Sequence, residues 1–417
     1  MSRRFAIGLY ASAILVLGLS PRLHADDAPL DIDRYVEIVL RSNPAGAGIK
    51  AFDEAAAAER KAARLFPDPL IDVSRARGRL TEGDAVRGTE NAFSITQSIP
   101  WLVSFAAEIR AADRAADALR AGGVEARWEL VLEARRAFAG LLFARALVDI
   151  ARSVEADARS LKDLTDRRAE LGESREAERI KATVEWLRRQ RDLQAAERGA
   201  EAAESILRTI ALEPLPRPLV LSGELPRPIA PIDPGVLRER LIAENPKMRA
   251  AQAQAAQQQA LLSAARRARI GDIDVAFYRT EELDKISNGF TIGLTIPLWN
   301  ANRGEVARTT AAAALAEAAA GHTRVDLLAE LEARARDLHV ASGQVEIIER
   351  DILPAATRSV EIVRLSYEEG ETSLLDLLDA QRTFRETQRE AIEARFALAL
   401  ALADIQRLVG PDFDPWR

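Results

Sequence analysis

The chain has 417 residues, 48% of them apolar and 29% charged, with a formal net charge of −6. It contains no Cys, three His and two Met, which excludes disulfide frameworks, thiolate metal sites and Cys nucleophiles and makes a His-rich metal centre untenable. Aromatics reach only 5%, a composition of long, partly solvated helices rather than of one thick core.

Residues 1–25 read as a secretory signal peptide. Arg3 and Arg4 precede an apolar run from Phe5 to Leu19, and Leu23-His24-Ala25 offers a small-residue cleavage site before Asp26. Loss of Arg3, Arg4 and Arg22 takes the net charge from −6 to −9, a balance that argues against a nucleic-acid partner. No later segment has the roughly 18 uncharged apolar residues of a membrane helix.

The remainder is written twice. Leu40-Arg41-Ser42-Asn43-Pro44 recurs as Ile242-Ala243-Glu244-Asn245-Pro246, and Asp72-Val73 as Asp274-Val275, both at an offset of 202. The stretch Asn91 to Pro100 recurs as Asn288 to Pro297, and the Gly172 turn recurs at Gly370. A period near 200 means two copies of a multi-element unit rather than a solenoid. The expected organisation is a first repeat over 26–213, a Pro-rich linker over 214–234, a second repeat over 235–410 and a tail over 411–417. Pro cannot donate a backbone hydrogen bond and clashes inside a helix, so the linker is expected to be extended.

Each repeat opens with a helix broken at its Asn-Pro pair, because a residue before Pro is pushed out of the helical region. Two short strands follow. In the second copy Ile273, Val275 and Phe277, then Phe290, Ile292, Leu294 and Ile296, alternate with small or polar residues, the period of a strand with one apolar face. The first copy is less regular: Gln97 interrupts Phe93, Ile95 and Ile99, and Arg75, Arg77 and Arg79 share the parity of Ile71 and Val73. If that face meets lipid, these arginines must lie near a headgroup boundary. From Trp101 to Leu171, and from Asn302 to Glu369, helical periodicity runs for about 70 residues, or roughly 100 Å. Gly122-Gly123 is the weak point of the first run and Pro354 is expected to kink the second. Each run turns at Gly172 or Gly370 and returns as a second helix, so the fold class is mainly α, with duplicated long antiparallel helical hairpins and four strands.

Four strands cannot close a barrel, and open sheet edges are forbidden in lipid. Three chains would supply twelve strands, an even number within the range of outer-membrane barrels. The alternative is a periplasmic coiled-coil structural or adaptor protein that never enters the membrane; one hairpin flanked by other domains would be its usual plan. No Gly-rich phosphate loop and no nucleophile–base pair is evident, so neither a cofactor nor catalysis is expected.

The order of broken helix, strand pair ending in Ile-Pro and Gly-turned hairpin resembles the TolC family of outer-membrane efflux channels over about residues 30–410. The most specific segment is Tyr367 to Gln381, which is similar to the periplasmic tip of that family's second hairpin. The resemblance implies a homotrimer in the outer membrane, with a 12-stranded β-barrel, a periplasmic α-helical barrel, and docking to a periplasmic adaptor protein and an inner-membrane pump. It implies that Asp376 and Asp379 form acidic rings at a channel gate, and their spacing of three does place both on one side of a helix. Such rings attract cations, although an Asp in a first helical turn also simply favours the helix dipole. Tyr367 and Glu178 match a gate-locking contact, while Thr372 stands where an Arg can join that lock. Gly172, Ser174, Gly370 and Ser373 match tip turns facing the adaptor; plain turn and capping chemistry accounts for the same residues. Phe66-Pro67-Asp68-Pro69 and Ile99-Pro100-Trp101 look similar to the heavy-metal-efflux branch, with drugs and secreted molecules open as cargo.

Overall fold

A computed structural model describes residues 29–79, 87–172, 175–230, 232–268, 271–296, 299–411 and 413. The expected signal peptide, residues 81–86, Ser174, Pro297 and most of the tail lie outside them.

Helices α1 (Ile32–Ser42) and α2 (Pro44–Ala62) meet at Asn43, and α5 (Pro234–Glu244) and α6 (Pro246–Arg267) meet at Asn245. Both Asn residues are extended, with ψ of 134° and 121°, as the following Pro requires. Each caps the helix it starts: Asn43 Oδ1 accepts from the Ala45 amide at 2.9 Å, and Asn245 Oδ1 from the Met248 amide at 2.8 Å. The same side chains then reach across the fold. Asn43 Nδ2 donates to the Ile210 carbonyl at 2.9 Å, and Asn245 Nδ2 to the Leu408 carbonyl at 2.9 Å. Those carbonyls end α4 (Glu176–Ala211) and α9 (Leu374–Val409), where the last turn has no intrahelical donor. One residue type thus breaks one helix, starts the next and closes a third.

Strands β1 (Leu70–Arg79), β2 (Arg87–Ile99), β3 (Ile273–Glu281) and β4 (Ile286–Leu294) form one antiparallel sheet in the order β1-β2-β3-β4. The two hairpins join through β2 and β3, whose register sets Ile99 opposite Ile273 and Ile95 opposite Phe277. One side carries Ile71, Val73, Phe93, Ile95, Val275, Phe277, Phe290 and Ile292; the other carries small and polar residues such as Ser74, Ser94, Thr280 and Gly289. The apolar side is uncovered: Val73, Phe290 and Ile292 are each at least 74% exposed. Gln97, which breaks the apolar pattern, turns its amide to the Pro67 and Ser98 carbonyls, both at 2.9 Å, and so satisfies backbone where helix gives way to strand.

Helix α3 (Leu102–Glu170) runs 69 residues, about 100 Å, straight through Gly122-Gly123. The glycines do not interrupt it; a Cβ on Gly123 would come within 3.0 Å of Phe52 Cβ on α2, so close helix approach explains the pair. In the second copy α7 (Arg303–Ile347) and α8 (Leu353–Glu368) are separated by a π turn over Ile348–Ile352. There the Leu353 amide donates to the Ile348 carbonyl five residues back, just ahead of Pro354.

Two cores sit in the middle of the molecule. One gathers Tyr35, Val39, Phe138, Leu141 and Leu207; the other gathers Leu241, Met248, Leu331, Leu398 and Leu402. Tyr35 keeps its hydroxyl satisfied inside the first by donating to the Leu207 carbonyl at 2.9 Å. Stacked rings of Phe143 and Phe396, 4.5 Å apart, join α3 to α9. The linker is extended but not loose. Leu30 exchanges backbone bonds with Val220 and Ser222, Leu215 and Leu219 enter the first core, and Leu225 lies against Ala139 and Ala399. Burying each such leucine contributes about 2 kcal/mol. Among the described residues, no helix is long and apolar enough to cross a membrane.

Candidate functional site at the hairpin tips

Both hairpins reverse on a left-handed glycine. Gly172 has φ +76° and Gly370 φ +81°, a region where a side chain is strained. At the second tip the Glu371 amide donates to the Ser366 carbonyl at 2.8 Å and the Gly370 amide to the Tyr367 carbonyl at 3.1 Å. This Schellman pair satisfies the last carbonyls of α8. At the first tip the Gly172 amide makes the equivalent bond to the Ala169 carbonyl at 3.0 Å.

Helix α9 then starts on a capping box. The Asp376 amide donates to Ser373 Oγ at 3.3 Å, while the Ser373 amide and hydroxyl donate to Asp376 Oδ2 at 3.1 and 2.7 Å. These donors, the hydroxyl first, hold the Asp376 carboxyl below the usual carboxylate range. Asp376 and Asp379 are both exposed, on the side of α9 away from buried Leu374 and Leu377. Asp376 is therefore a cap and an exposed carboxylate at once, with Oδ1 left over.

Tyr367 is only 5% exposed and packs with Leu161, Leu374 and Leu377. Arg168, in the last turn of α3, stacks its guanidinium 5.2 Å from the Tyr367 ring and donates to the Glu368 carbonyl at 2.8 Å and, more weakly, to the Tyr367 carbonyl at 3.4 Å. The Tyr367 hydroxyl is raised above its ordinary range, first by burial and further by the Glu178 carboxylate, with Arg168 opposing. Glu178 thus bears on Tyr367 through its charge, and Arg168 is the direct partner. Motif spacing did not point to Arg168, whose only signal is a basic residue in a last helical turn. Thr372 offers no substitute for an Arg: its hydroxyl is buried and finds no hydrogen-bond partner among the described residues.

A second tie lies further up the hairpins. Arg385 on α9 pairs with Glu185 on α4 at 3.2 Å, both largely buried, and Arg189 holds the same Glu185 oxygen at 2.9 Å. Burial and the neighbouring Arg189 cation lower the Arg385 pKa. Between the two ties is a cavity of about 440 Å³ lined by residues including Asp157, Arg364, Tyr367 and Arg385. The tips are consequently a junction of two hairpins joined by side-chain contacts, with exposed carboxylates on one of them.

Above the hairpins stands a sheet with two open edges, an exposed apolar side and a polar opposite side, and aromatic residues stand where the strands meet the helices, with Phe66 62% and Trp299 88% exposed. Exposed rings at the ends of an apolar band are the girdle of a membrane barrel. Fold and tips together have the layout that an outer-membrane efflux channel would need, a sheet with a bare apolar side above paired helical hairpins. Residues 237–411 match the family model described as outer membrane efflux protein. Over 415 residues it is 22% identical to the cobalt-zinc-cadmium resistance protein CzcC of Cupriavidus metallidurans, covering 98% of this chain and 96% of that one. Its fold is similar to the outer-membrane protein VceC of Vibrio cholerae, with TM-score 0.72, 15% identity, and 91% and 96% of the two chains covered. It is also similar to the CmeC outer-membrane channel of Campylobacter jejuni, with TM-score 0.71, 16% identity, and 93% and 87% covered.

Proposed function

We propose that three copies of this chain assemble into a continuous passive duct, with a 12-stranded barrel in the outer membrane and a helical barrel in the periplasm. The observation that carries the reading is the four-stranded sheet whose β1 and β4 edges are unpaired while its apolar side is bare. In lipid every strand edge must be paired, and joining β4 of one copy to β1 of the next closes the ring. Export through it is driven by an inner-membrane pump acting through a periplasmic adaptor, and the chain itself performs no catalysis. The adaptor docks on the tips around Gly172, Ser174, Gly370 and Ser373.

Threefold symmetry gathers the three Asp376 and three Asp379 carboxylates around the axis as the gate, a constriction that favours cations. The closed state is held by Tyr367 with Glu178, and Arg168 takes the place an Arg at position 372 would fill. The cargo class we favour is divalent metal ions, on the whole-length likeness to a relative named for cobalt, zinc and cadmium resistance.

The test is membrane fractionation with gel analysis, followed by planar-bilayer recording. A denaturation-resistant trimer in the outer membrane is expected, and D376A/D379A is expected to raise conductance and weaken block by multivalent cations. Recovery as a soluble monomer would overturn the duct, and unchanged block would reject the acidic gate.

A further inference from the structure

The end of the sheet farthest from the helices carries a patch that the duct reading leaves without a role. In the β1–β2 register Arg75 faces Asn91, Arg77 faces Thr89 and Arg79 faces Arg87. The four arginines share the parity of Ile71, Val73, Phe93 and Ile95, so they extend the apolar side of the sheet rather than its polar side. The step from apolar to basic is abrupt: Val73 and Phe93 are paired, and Arg75 is the next residue on that side of β1.

All four arginines are exposed. Among the described residues no carboxylate lies within ion-pair distance of any of them, whereas Arg279 on β3 is held by Glu281 at 2.8 Å. Arg79 opposite Arg87 sets two like charges directly across a strand pair, an arrangement that destabilises a hairpin by itself. Glu90 does not relieve it. Its side chain lies over Gly78, where a Cβ would meet the carboxylate at 2.2 Å, and Gly78 and Glu90 belong to the polar side of the sheet. Glu90 thus stays on the polar side, and Glu281, which lies opposite Asn91 on the arginines' own side, is taken up by Arg279, so among the described residues the four arginines have no carboxylate partner.

We propose that Arg75, Arg77, Arg79 and Arg87 form a binding site for the phosphate-bearing headgroups of anionic lipid in the outer leaflet. The inference rests on the barrel reading, which turns the apolar side to lipid and places the strand ends beyond β1 and β2 at the cell exterior. A guanidinium fork matches phosphate oxygens in a bidentate manner. The patch is continuous with the hydrocarbon-facing band, so a phosphate carried on an acyl chain reaches it with its tails already seated on Val73 and Phe93. A free phosphate gains nothing from that continuity. Three copies present twelve arginines around the rim, enough for a collar of headgroups, and cationic residues at such a boundary strengthen attachment to anionic lipid.

The experiment uses the full-length trimer in detergent, with native mass spectrometry reading retained lipid. The probes are bisphosphorylated lipid A, the same glycolipid stripped of both phosphates, and inorganic phosphate as competitor. Retention of the bisphosphorylated lipid is expected, at least about tenfold above the stripped form. R75Q/R77Q/R79Q/R87Q should lose that preference, the matching four-lysine variant should keep most of it, and millimolar inorganic phosphate should displace little. Heat resistance of the trimer on gels checks that each variant is assembled. Equal retention of both lipids by the wild type would overturn the site, as would undiminished preference in the assembled Gln variant. Full displacement by inorganic phosphate would reassign it to free anions and so overturn it as a lipid site. A wild-type chain that forms no membrane-inserted trimer would overturn the barrel reading and this one together, whereas insertion without lipid preference would overturn only the arginine collar.

Discussion

The long helix of the first hairpin and its counterpart in the second solve the same task differently. Helix α3 spans 69 residues without interruption, whereas the second copy inserts a five-residue π turn between α7 and α8 ahead of Pro354. Gly122-Gly123, the weak point of α3 on paper, is covered by Phe52, so packing offsets a poor local propensity. Pro354 cannot be rescued in that way, because it lacks a donor and its ring displaces the preceding carbonyl. The π turn absorbs the misfit in place, and π bulges are a recognised answer to such an insertion. A glycine is a deficit that a neighbour can fill, while a proline changes the hydrogen-bond ladder itself.

The sharpest way to break this contrast is to exchange the proline. A156P places Pro in α3 at the position 198 residues before Pro354, where Ala156 is exposed and the helix regular. It should destabilise the assembled protein by about 3 kcal/mol or more, read as a large drop in the midpoint of thermal unfolding by circular dichroism. P354A should shift the same midpoint little, since the π turn already accommodates that site. Comparable losses from the two substitutions would remove the distinction between the helices.

A smaller effect separates the two Asn clamps. Asn245 is buried, with two carbonyl contacts at 2.9 and 3.3 Å, whereas Asn43 is partly exposed with one. N245A should cost about 2–3 kcal/mol, combining a lost cap with buried carbonyls left unpaired. N43A should cost about 1 kcal/mol. Equal losses would mean that the copies depend on the clamp alike, regardless of burial.

The least change is expected at the tips, where among the described residues the second hairpin alone has a capping box. Because Ser373 depresses the Asp376 pKa, the stabilisation from this carboxylate is fully present above the ordinary carboxylate range and is lost as pH falls through the depressed value. S373A removes the hydroxyl donor, the larger of the two, and leaves the backbone amide, so the pH at which cation block fades on acidification should move upward in planar-bilayer titrations. No movement would show that the box does not govern the charge of Asp376.

Much of the architecture was legible in local pattern: the alternation of Phe290, Ile292 and Leu294, the glycine tips, and the Asn-Pro pairs as helix breaks. The tip residues Tyr367, Asp376 and Asp379 were legible only through motif likeness. Arg168 was not, because its partners are 199 and 200 residues away and a basic residue near a helix end has many ordinary uses. The Asn clamps were half legible. Their capping role is local, but their carbonyl partners lie 167 and 163 residues away.

By itself the sequence determined the parts, because helix breaks, strand alternation and left-handed turns are set by residues within a few positions of one another. It also determined what the chain lacks, since without Cys a thiolate site is chemically unavailable. Tertiary structure alone decided how the parts meet: the β2–β3 register that fuses the two hairpins into one sheet, the closure of α4 and α9 by distant Asn residues, and the stacking of Arg168 on Tyr367. It also decided that Arg75, Arg77, Arg79 and Arg87 share one side with the apolar band. Parity within β1 hinted at three of them, but only the pairing of β1 with β2 sets Arg87 beside Arg79, because a one-residue slip in register would have sent it to the opposite face.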